Sequence, residues 1–355
     1  MLKTSVAGKI LKMVLRVIIL LIAGLLSFFI WQTITEFDPD PASELEIIGN
    51  ATELKDTLTL TTYNIGYCGL GAEMDFFYEG GTMVRPEKEL YDRYLGEVMQ
   101  RLDNFSGSDF ILLQEVDTMA KRSWYANQFR LIRNKFTGHQ TFFAMNYKAW
   151  VPMPVMQPMG KVRAGIVTIG KAIPADAVRY AFNSGYSWPM SLFMLKRCYL
   201  LTRYNTGNGK QLVLVNTHNS AFGDAAEIRG KELSQLKEMM TTEYAKGNYV
   251  IIGGDWNQNP AIFDSTAVQD NYLVKSIRPP VPADFLPEGW QYAWDPLHPT
   301  NRDVDIPYQE GRTKTTLIDF FVLSPNVGLV SATTTPTGFK ESDHQPVSVK
   351  VFLKK

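Results

Sequence analysis

The segment YVIIGGDWNQNP, residues 249–260, decides how this chain is read. Tyr249, Val250, Ile251 and Ile252 form a short apolar run that stops at Gly253 and Gly254. A run of this length bounded by turn residues reads as a buried strand. The paired glycines allow a close backbone approach that a side chain would block. Asp255 and Asn257 then stand at the strand's end, where chemistry is often mounted on a rigid scaffold. Alone, the segment is equally well an Asp/Asn-rich turn, since Gly-Asp and Asn-Pro are ordinary turn chemistry.

Repetition separates the two readings. An apolar strand meeting a polar pair recurs in five more places. These are LTLTTYN at 58–64, FILLQE at 110–115, LVLVNTH at 212–218 and TLID at 316–319, which runs into FFVL. The last is SDH at 342–344, which introduces PVSVKVFL at 346–353. Each sets a metal ligand, an acid/base or a phosphate-binding group beside a core strand.

Composition bounds the rest. The 355 residues are 45% hydrophobic and 20% charged, ordinary for a globular chain. Cys68 and Cys198 make no disulfide framework and lack the spacing of a thiolate metal site, so buried thiols are expected. Formal charge is zero, but residues 1–31 hold Lys3, Lys9, Lys12 and Arg16 with no acid, which leaves −4 on the remainder. A domain that grips duplex phosphates is usually basic, so this balance argues against DNA as the substrate.

Residues 13–31, MVLRVIILLIAGLLSFFIW, carry no charge beyond Arg16, which can snorkel, and are about long enough to span a bilayer. Trp31 takes the place of an interfacial anchor. The preceding cations put residues 1–12 in the cytoplasm and the bulk of the chain across the membrane, in the periplasm if the source is bacterial. A cleaved signal peptide is the alternative. The long apolar core and the want of a small-x-small site after it favour an uncleaved anchor. Residues 32–56 read as a linker and 57–355 as the catalytic domain.

Within that domain, residues 90–102, 123–136 and 225–244 have helical spacing, and 205–209 is a hairpin loop. The glycine-rich stretch 67–89 is long enough to have a task, with Asp75, Phe76, Phe77 and Tyr78 as candidate substrate contacts. The Pro- and Met-rich stretch 149–160 reads as an irregular edge packed on the core, with a lipid-facing or substrate-facing loop as the alternative, and 278–299 as a long surface loop that shapes the cleft. Arg163 is a candidate phosphate contact; His139 and His298 read as structural. Strands on both sides of a helix-rich segment suggest two packed sheets with outer helices.

Taken together, TYNIG, LLQEVD, VNTHNS, GGDWNQNP, LIDFFVLS and SDHQPV resemble the endonuclease/exonuclease/phosphatase superfamily, which includes DNase I-like nucleases and neutral sphingomyelinases. The likeness covers roughly residues 56–353. It implies a four-layer α/β/β/α sandwich of two mixed sheets, here behind one transmembrane helix, and a hydrolase of phosphoesters that uses Mg²⁺ or Mn²⁺. By the same resemblance Asn64, Glu115 and Asp343 serve the metal. His218 contacts the phosphate, Asp255 orients or deprotonates the water, Asn257 fixes that geometry, and Asp319 holds His344. GRTKTTLID, residues 311–319, lacks the Pro-Ala-Trp-Cys-Asp-Arg motif of the inositol 5-phosphatases and argues against that branch. The expected substrate is a lipid headgroup or small phosphoester, acted on outside the cytoplasm by a monomer tethered to the lipid bilayer. A nuclease acting on nucleic acid and an inactive binding module are the alternatives.

Overall fold

The computed structural model of the chain describes residues 6–221, 226–269, 272–274 and 278–355. Helix α1, Val6–Ile34, opens it. Then come β1 (Ala42–Glu44), β2 (Glu53–Leu54), β3 (Thr57–Asn64), α2 (Lys88–Asn104), β4 (Phe110–Asp117) and α3 (Gln128–Lys135). They are followed by β5 (Gln140–Val151), β6 (Gly160–Gly170), β7 (Asp176–Ala181), β8 (Cys198–Thr206), β9 (Gln211–His218), α4 (Ala226–Ala245) and β10 (Tyr249–Asp255). The chain closes with β11 (Leu273–Val274), β12 (Gln291–Ala293), β13 (Asn301–Arg302), β14 (Lys314–Thr316), β15 (Asp319–Leu323), β16 (Val327–Thr334) and β17 (Val347–Leu353).

Two mixed sheets carry the fold. One runs β1-β7-β8-β9-β10-β15-β12, with β2 beside β8; the other runs β16-β17-β3-β4-β6-β5. A small third sheet runs β11-β14-β13, and its Asn301 bridges to His344. The apolar runs are continuous because both faces of the central strands are buried. Leu212 and Leu214 of β9, with Tyr249 and Ile251 of β10, face the other sheet and meet Leu58, Leu60, Phe110 and Leu112. Their neighbours Val213, Val215, Val250 and Ile252 face outward onto Leu233, Leu236 and Met240 of α4. On the far side, Ile111, Leu113, Val167 and Ile169 pack under Tyr91, Val98 and Leu102 of α2 and Ile132 of α3. The layers are therefore helix, sheet, sheet, helix.

α1 is long and apolar enough to cross a membrane. It is longer than the 13–31 span and carries Lys9, Lys12 and Arg16 on its first turns; Lys3 lies outside the described residues, as does Ala225 at the head of the expected 225–244 helix.

Four expectations change. The 32–56 segment is not a plain linker: β1 pairs with β7 and β2 with β8. The helix expected at 123–136 is confined to α3, after a short 3₁₀ turn at Lys121–Ser123. Residues 149–151 of the Met-rich stretch continue the edge strand β5. Residues 278–299 are not a surface loop either. Val281, Phe285 and Trp290 are buried in the outer core around Trp256, and β12 extends the sheet beside β15. Those apolar side chains anchor a segment whose prolines forbid a helix. Cys68 and Cys198 are free, buried thiols.

Candidate active site

His218, Asp255 and Asp319 share one rung of the eight-stranded sheet. His218 is the cross-strand partner of Asp255, and Asp255 that of Asp319. Partners on a rung point to the same face, so three candidate side chains leave the sheet together. β15 runs antiparallel to β10, so its first residue lies beside the last residue of β10. Gly254 makes the approach of β9 possible. Its φ is +150°, and a Cβ there would lie 2.0 Å from the Thr217 carbonyl oxygen.

The other sheet contributes Asn64, at the end of β3, and Glu115, in β4. Adjacent strand residues alternate faces, and Gln114 points between the sheets, where its Nε2 donates to Asn216 Oδ1 at 2.8 Å. A register shift between Leu113 and Val116, with φ of 57° at Glu115, breaks the alternation. The bulge re-aims Glu115 so that Oε1 lies 4.0 Å from His218 Nε2. His344 precedes β17. Ser342 Oγ donates to the Asn64 carbonyl at 2.9 Å and accepts from the His344 amide at 3.2 Å, which ties this turn to β3.

The candidate groups converge. Asp319 Oδ2 lies 2.8 Å from His344 Nδ1, and Asp255 Oδ2 lies 3.7 Å from His344 Nε2 and 3.4 Å from His218 Nε2. Asp343 Oδ2 is 4.0 Å from His344 Nε2. Asn64 Nδ2 donates to Asp255 Oδ2 at 2.9 Å and Glu115 Oε1 at 3.3 Å, while its Oδ1 accepts from the Gly66 amide at 3.0 Å. Held this way, Asn64 shows the carboxylates its nitrogen, and oxygen ligands are left to Glu115 and Asp343. Asn257, at φ 51°, adopts a left-handed conformation that asparagine tolerates. Its amide nitrogen donates to Asp255 Oδ1 and its Nδ2 to the Asn219 carbonyl, both at 2.9 Å.

Burial and neighbours drive the two histidines apart. Burial, with Arg197 and the His344 charge adding to it, pushes His218 well below its usual range, so it is neutral. For His344 burial works the same way, but Asp319, Asp343 and Asp255 overcome it and raise it to about 10. Burial and the nearby Asp319 charge raise Asp255 to about 6. Burial raises Asp343 to about 7, with Glu115 adding to the shift against His344. Groups with different protonation at one pH are what acid–base division of labour requires.

Three carboxylates thus face one imidazolium, with Glu115 a fourth beside His218. That excess of negative oxygen suits a hard divalent cation. Asp255, Asp319 and His344 offer ligand atoms within 4.8 Å of one another, and these three buried groups can bind a metal. Asp319 and His344 are already paired with each other at 2.8 Å, so a metal bound by this group competes with that pair.

The remaining candidates fall elsewhere. Asp75 is used within its own loop, accepting from Thr82 and Met83 amides at 2.9 and 2.6 Å, and Phe76 is buried. Arg163 is paired across from Lys148 on β6, and its Nε has no partner among the described residues. His298 bonds Asp295 at 2.9 Å and His139 packs on Phe136, both as structural residues. Three contributors carried no motif signal. Asn301 Nδ2 lies 3.1 Å from His344 Nε2. Arg197 Nη1 donates to the His218 carbonyl at 3.3 Å. Arg302 Nη2 binds the carbonyls of Leu70, Gly71 and Met74 and so pins the 67–89 loop.

No family profile matches the sequence, and no curated protein does. Solved structures do. The endonuclease/exonuclease/phosphatase from Beutenbergia cavernae DSM 12333 aligns over 84% of this chain and 72% of its own, at 15% identity and a TM-score of 0.57. ANGEL2, a 2′,3′-cyclic phosphatase, in complex with adenosine-2′,3′-vanadate, aligns over 87% of this chain and all of its own, at 13% identity and a TM-score of 0.56. The human Nocturnin catalytic domain with bound sulfate aligns over 86% of this chain and 97% of its own, at 16% identity and a TM-score of 0.51. Behind its N-terminal apolar helix, this chain has the fold of the endonuclease/exonuclease/phosphatase structures.

Proposed function

We propose that this chain is a member of the endonuclease/exonuclease/phosphatase superfamily and hydrolyses phosphoesters with Mg²⁺ or Mn²⁺, on the extracytoplasmic side of the membrane that α1 crosses. The observation that carries the reading is the rung of His218, Asp255 and Asp319 closed by His344 from the opposite sheet. A cyclic phosphatase among the similar structures is in keeping with it.

Each residue has a task. Asp255, raised towards neutrality and steadied by Asn64 and the Asn257 amide, accepts the proton of the attacking water. His344, held cationic by Asp319, donates from Nε2 to the phosphoryl oxygens. Neutral His218 donates a hydrogen bond to the same group without adding charge. Glu115 and Asp343 would hold the divalent cation, which neutralises charge that develops on the phosphoryl oxygens. Near-neutral composition and the anchor favour a lipid headgroup or small phosphoester over nucleic acid.

The test is hydrolysis of bis-p-nitrophenyl phosphate, sphingomyelin and plasmid DNA by the full-length protein in detergent, with Mg²⁺ or with EDTA, beside His344→Ala. Metal-dependent turnover that vanishes in the variant is the expected result. Turnover indifferent to both EDTA and His344→Ala would overturn the assignment. A folded protein with no turnover on any substrate would move it to a binding module.

A further inference from the structure

α1 does not leave the domain on a free tether. Phe28 meets Trp150 edge-on at 5.8 Å between ring centroids and stacks on Phe193 at 6.2 Å, and Phe29 packs on Trp188 at 5.8 Å. Gln32, the one buried residue among those described in α1, donates Nε2 to the Trp150 carbonyl at 2.7 Å. Trp188 Nε1 donates to Thr33 Oγ1 at 3.2 Å, and Lys196 pairs with Glu36 at 2.5 Å.

These contacts fix a depth. Phe28 and Phe29 belong to the uncharged part of α1, about one turn before Gln32. Domain side chains that touch them stand where that apolar stretch meets water, the level at which aromatic belts sit. The loop that follows β5, residues 152–158, and the segment 186–193 hold out apolar side chains with nothing over them. Met156 is 95% and Val155 75% exposed, and Met153, Trp188 and Met190 are about half exposed. Scattered apolar residues need no explanation, but a cluster around the point where an apolar helix emerges does.

We propose that loops 152–158 and 186–193 form an interfacial collar that seats the domain on the bilayer α1 crosses, with Trp31, Trp150, Trp188 and Phe193 at headgroup level. The collar adjoins the candidate site. Lys196, which pairs with Glu36 at the helix exit, is followed directly by Arg197, which holds the His218 carbonyl. Seated this way, the site stands beside the membrane surface. On the hydrolase reading above, on which this step rests, a phosphoester in a lipid headgroup reaches the site without leaving the bilayer.

The test uses the full-length protein in lipid nanodiscs. Met156→Cys, Met190→Cys and Val330→Cys are each labelled with an environment-sensitive fluorophore; Cys68 and Cys198 are buried and so shielded from the label. Val330 is an exposed control on β16, at the opposite edge of the six-stranded sheet from β5. Blue-shifted emission and quenching by nitroxide lipids are expected at positions 156 and 190 but not 330. Quenching at 156 and 190 no greater than at 330 would overturn the collar, whether or not the protein turns out to be a hydrolase. In the second arm, Val155→Asp combined with Met156→Asp should lower turnover of a nanodisc phospholipid or sphingomyelin and leave bis-p-nitrophenyl phosphate unaffected. Equal turnover of the lipid by parent and by a variant that has lost quenching at position 190 would keep the seating of the parent and overturn delivery from the bilayer.

Discussion

Asp319→Asn is the sharpest probe of the site. The substitution keeps shape and removes one charge at 2.8 Å from His344 Nδ1, with both side chains buried. His344 is raised from 6.5 to about 10 against the opposing effect of burial. That rise corresponds to roughly 5 kcal/mol of preference for the imidazolium. Three carboxylates share it, and Asp319 is the nearest, so we assign it about half, ~2–3 kcal/mol, which is about a hundredfold in rate. An asparagine that presents its NH₂ to Nδ1 also selects the wrong tautomer, a defect that costs about 10⁴ in kcat where a carboxylate orients a catalytic histidine. A loss in kcat of between about 10² and 10⁴ is expected, with KM little changed. Steady-state hydrolysis of bis-p-nitrophenyl phosphate measures it, and NMR titration of the His344 ring should show its midpoint falling towards its ordinary value. Loss of the buried pair should also lower Tm, so the rate is read on variant protein shown to be folded by near-UV circular dichroism. A folded variant with less than about a tenfold loss, or with an unmoved His344 midpoint, would refute the assigned role of Asp319.

Asp343→Asn tests the metal side through stability. The carboxyl is raised from 3.8 to about 7, so between those values the folded protein holds a proton the unfolded chain has released. Stability from this group is therefore lost as pH rises through that window. Without metal, Asp343→Asn should gain in Tm over the parent on going from about pH 4 to pH 7, and Mg²⁺ should narrow the gap by stabilising the parent alone; a pH-independent difference would refute it. Arg122→Met strands Asp117, which it binds at 2.9 and 3.1 Å, and should cost about 3–5 kcal/mol in denaturant unfolding. Adding Asp117→Asn should restore much of that, and no restoration would place the loss in Arg122 stacking on Tyr67 instead. Gly254→Ala should depress Tm and abolish turnover, because its methyl meets backbone rather than a yielding side chain; a variant with parental Tm would show that β9 and β10 can separate freely.

The strand runs were legible because central strands buried on both faces must be apolar throughout, as 212–215 and 249–252 are. The polar pairs that end them marked one end of the sandwich. Register was not legible: nothing local says that His218, Asp255 and Asp319 fall on one rung, since that depends on how three distant segments slide into alignment. β1 and β2 are too short, at three and two residues, to carry a sequence pattern, and pairing with β7 and β8 defines them. The turn of Glu115 rests on a bulge against β6, a property of two strands at once. Asn301 opens a two-residue strand, β13, that carries no sequence pattern, and only the fold brings it to His344.

Gln114 and Asn216 bond to each other across the gap between the sheets, and Asn216 Nδ2 also reaches the carbonyls of Leu113 and Val167 at 3.2 and 2.9 Å. One sheet supplies Asn64 and Glu115, the other His218, Asp255 and Asp319, so the sandwich works as a caliper whose opening sets the distances of the reacting groups. Leu112, Ile251 and Phe321 lie between the jaws. A methyl group added or removed there changes the gauge, and near-attack geometry is sensitive to displacements of that size. Turnover then reports the thickness of the core more finely than melting does, and a library of core substitutions ranked by rate would order them differently from one ranked by Tm.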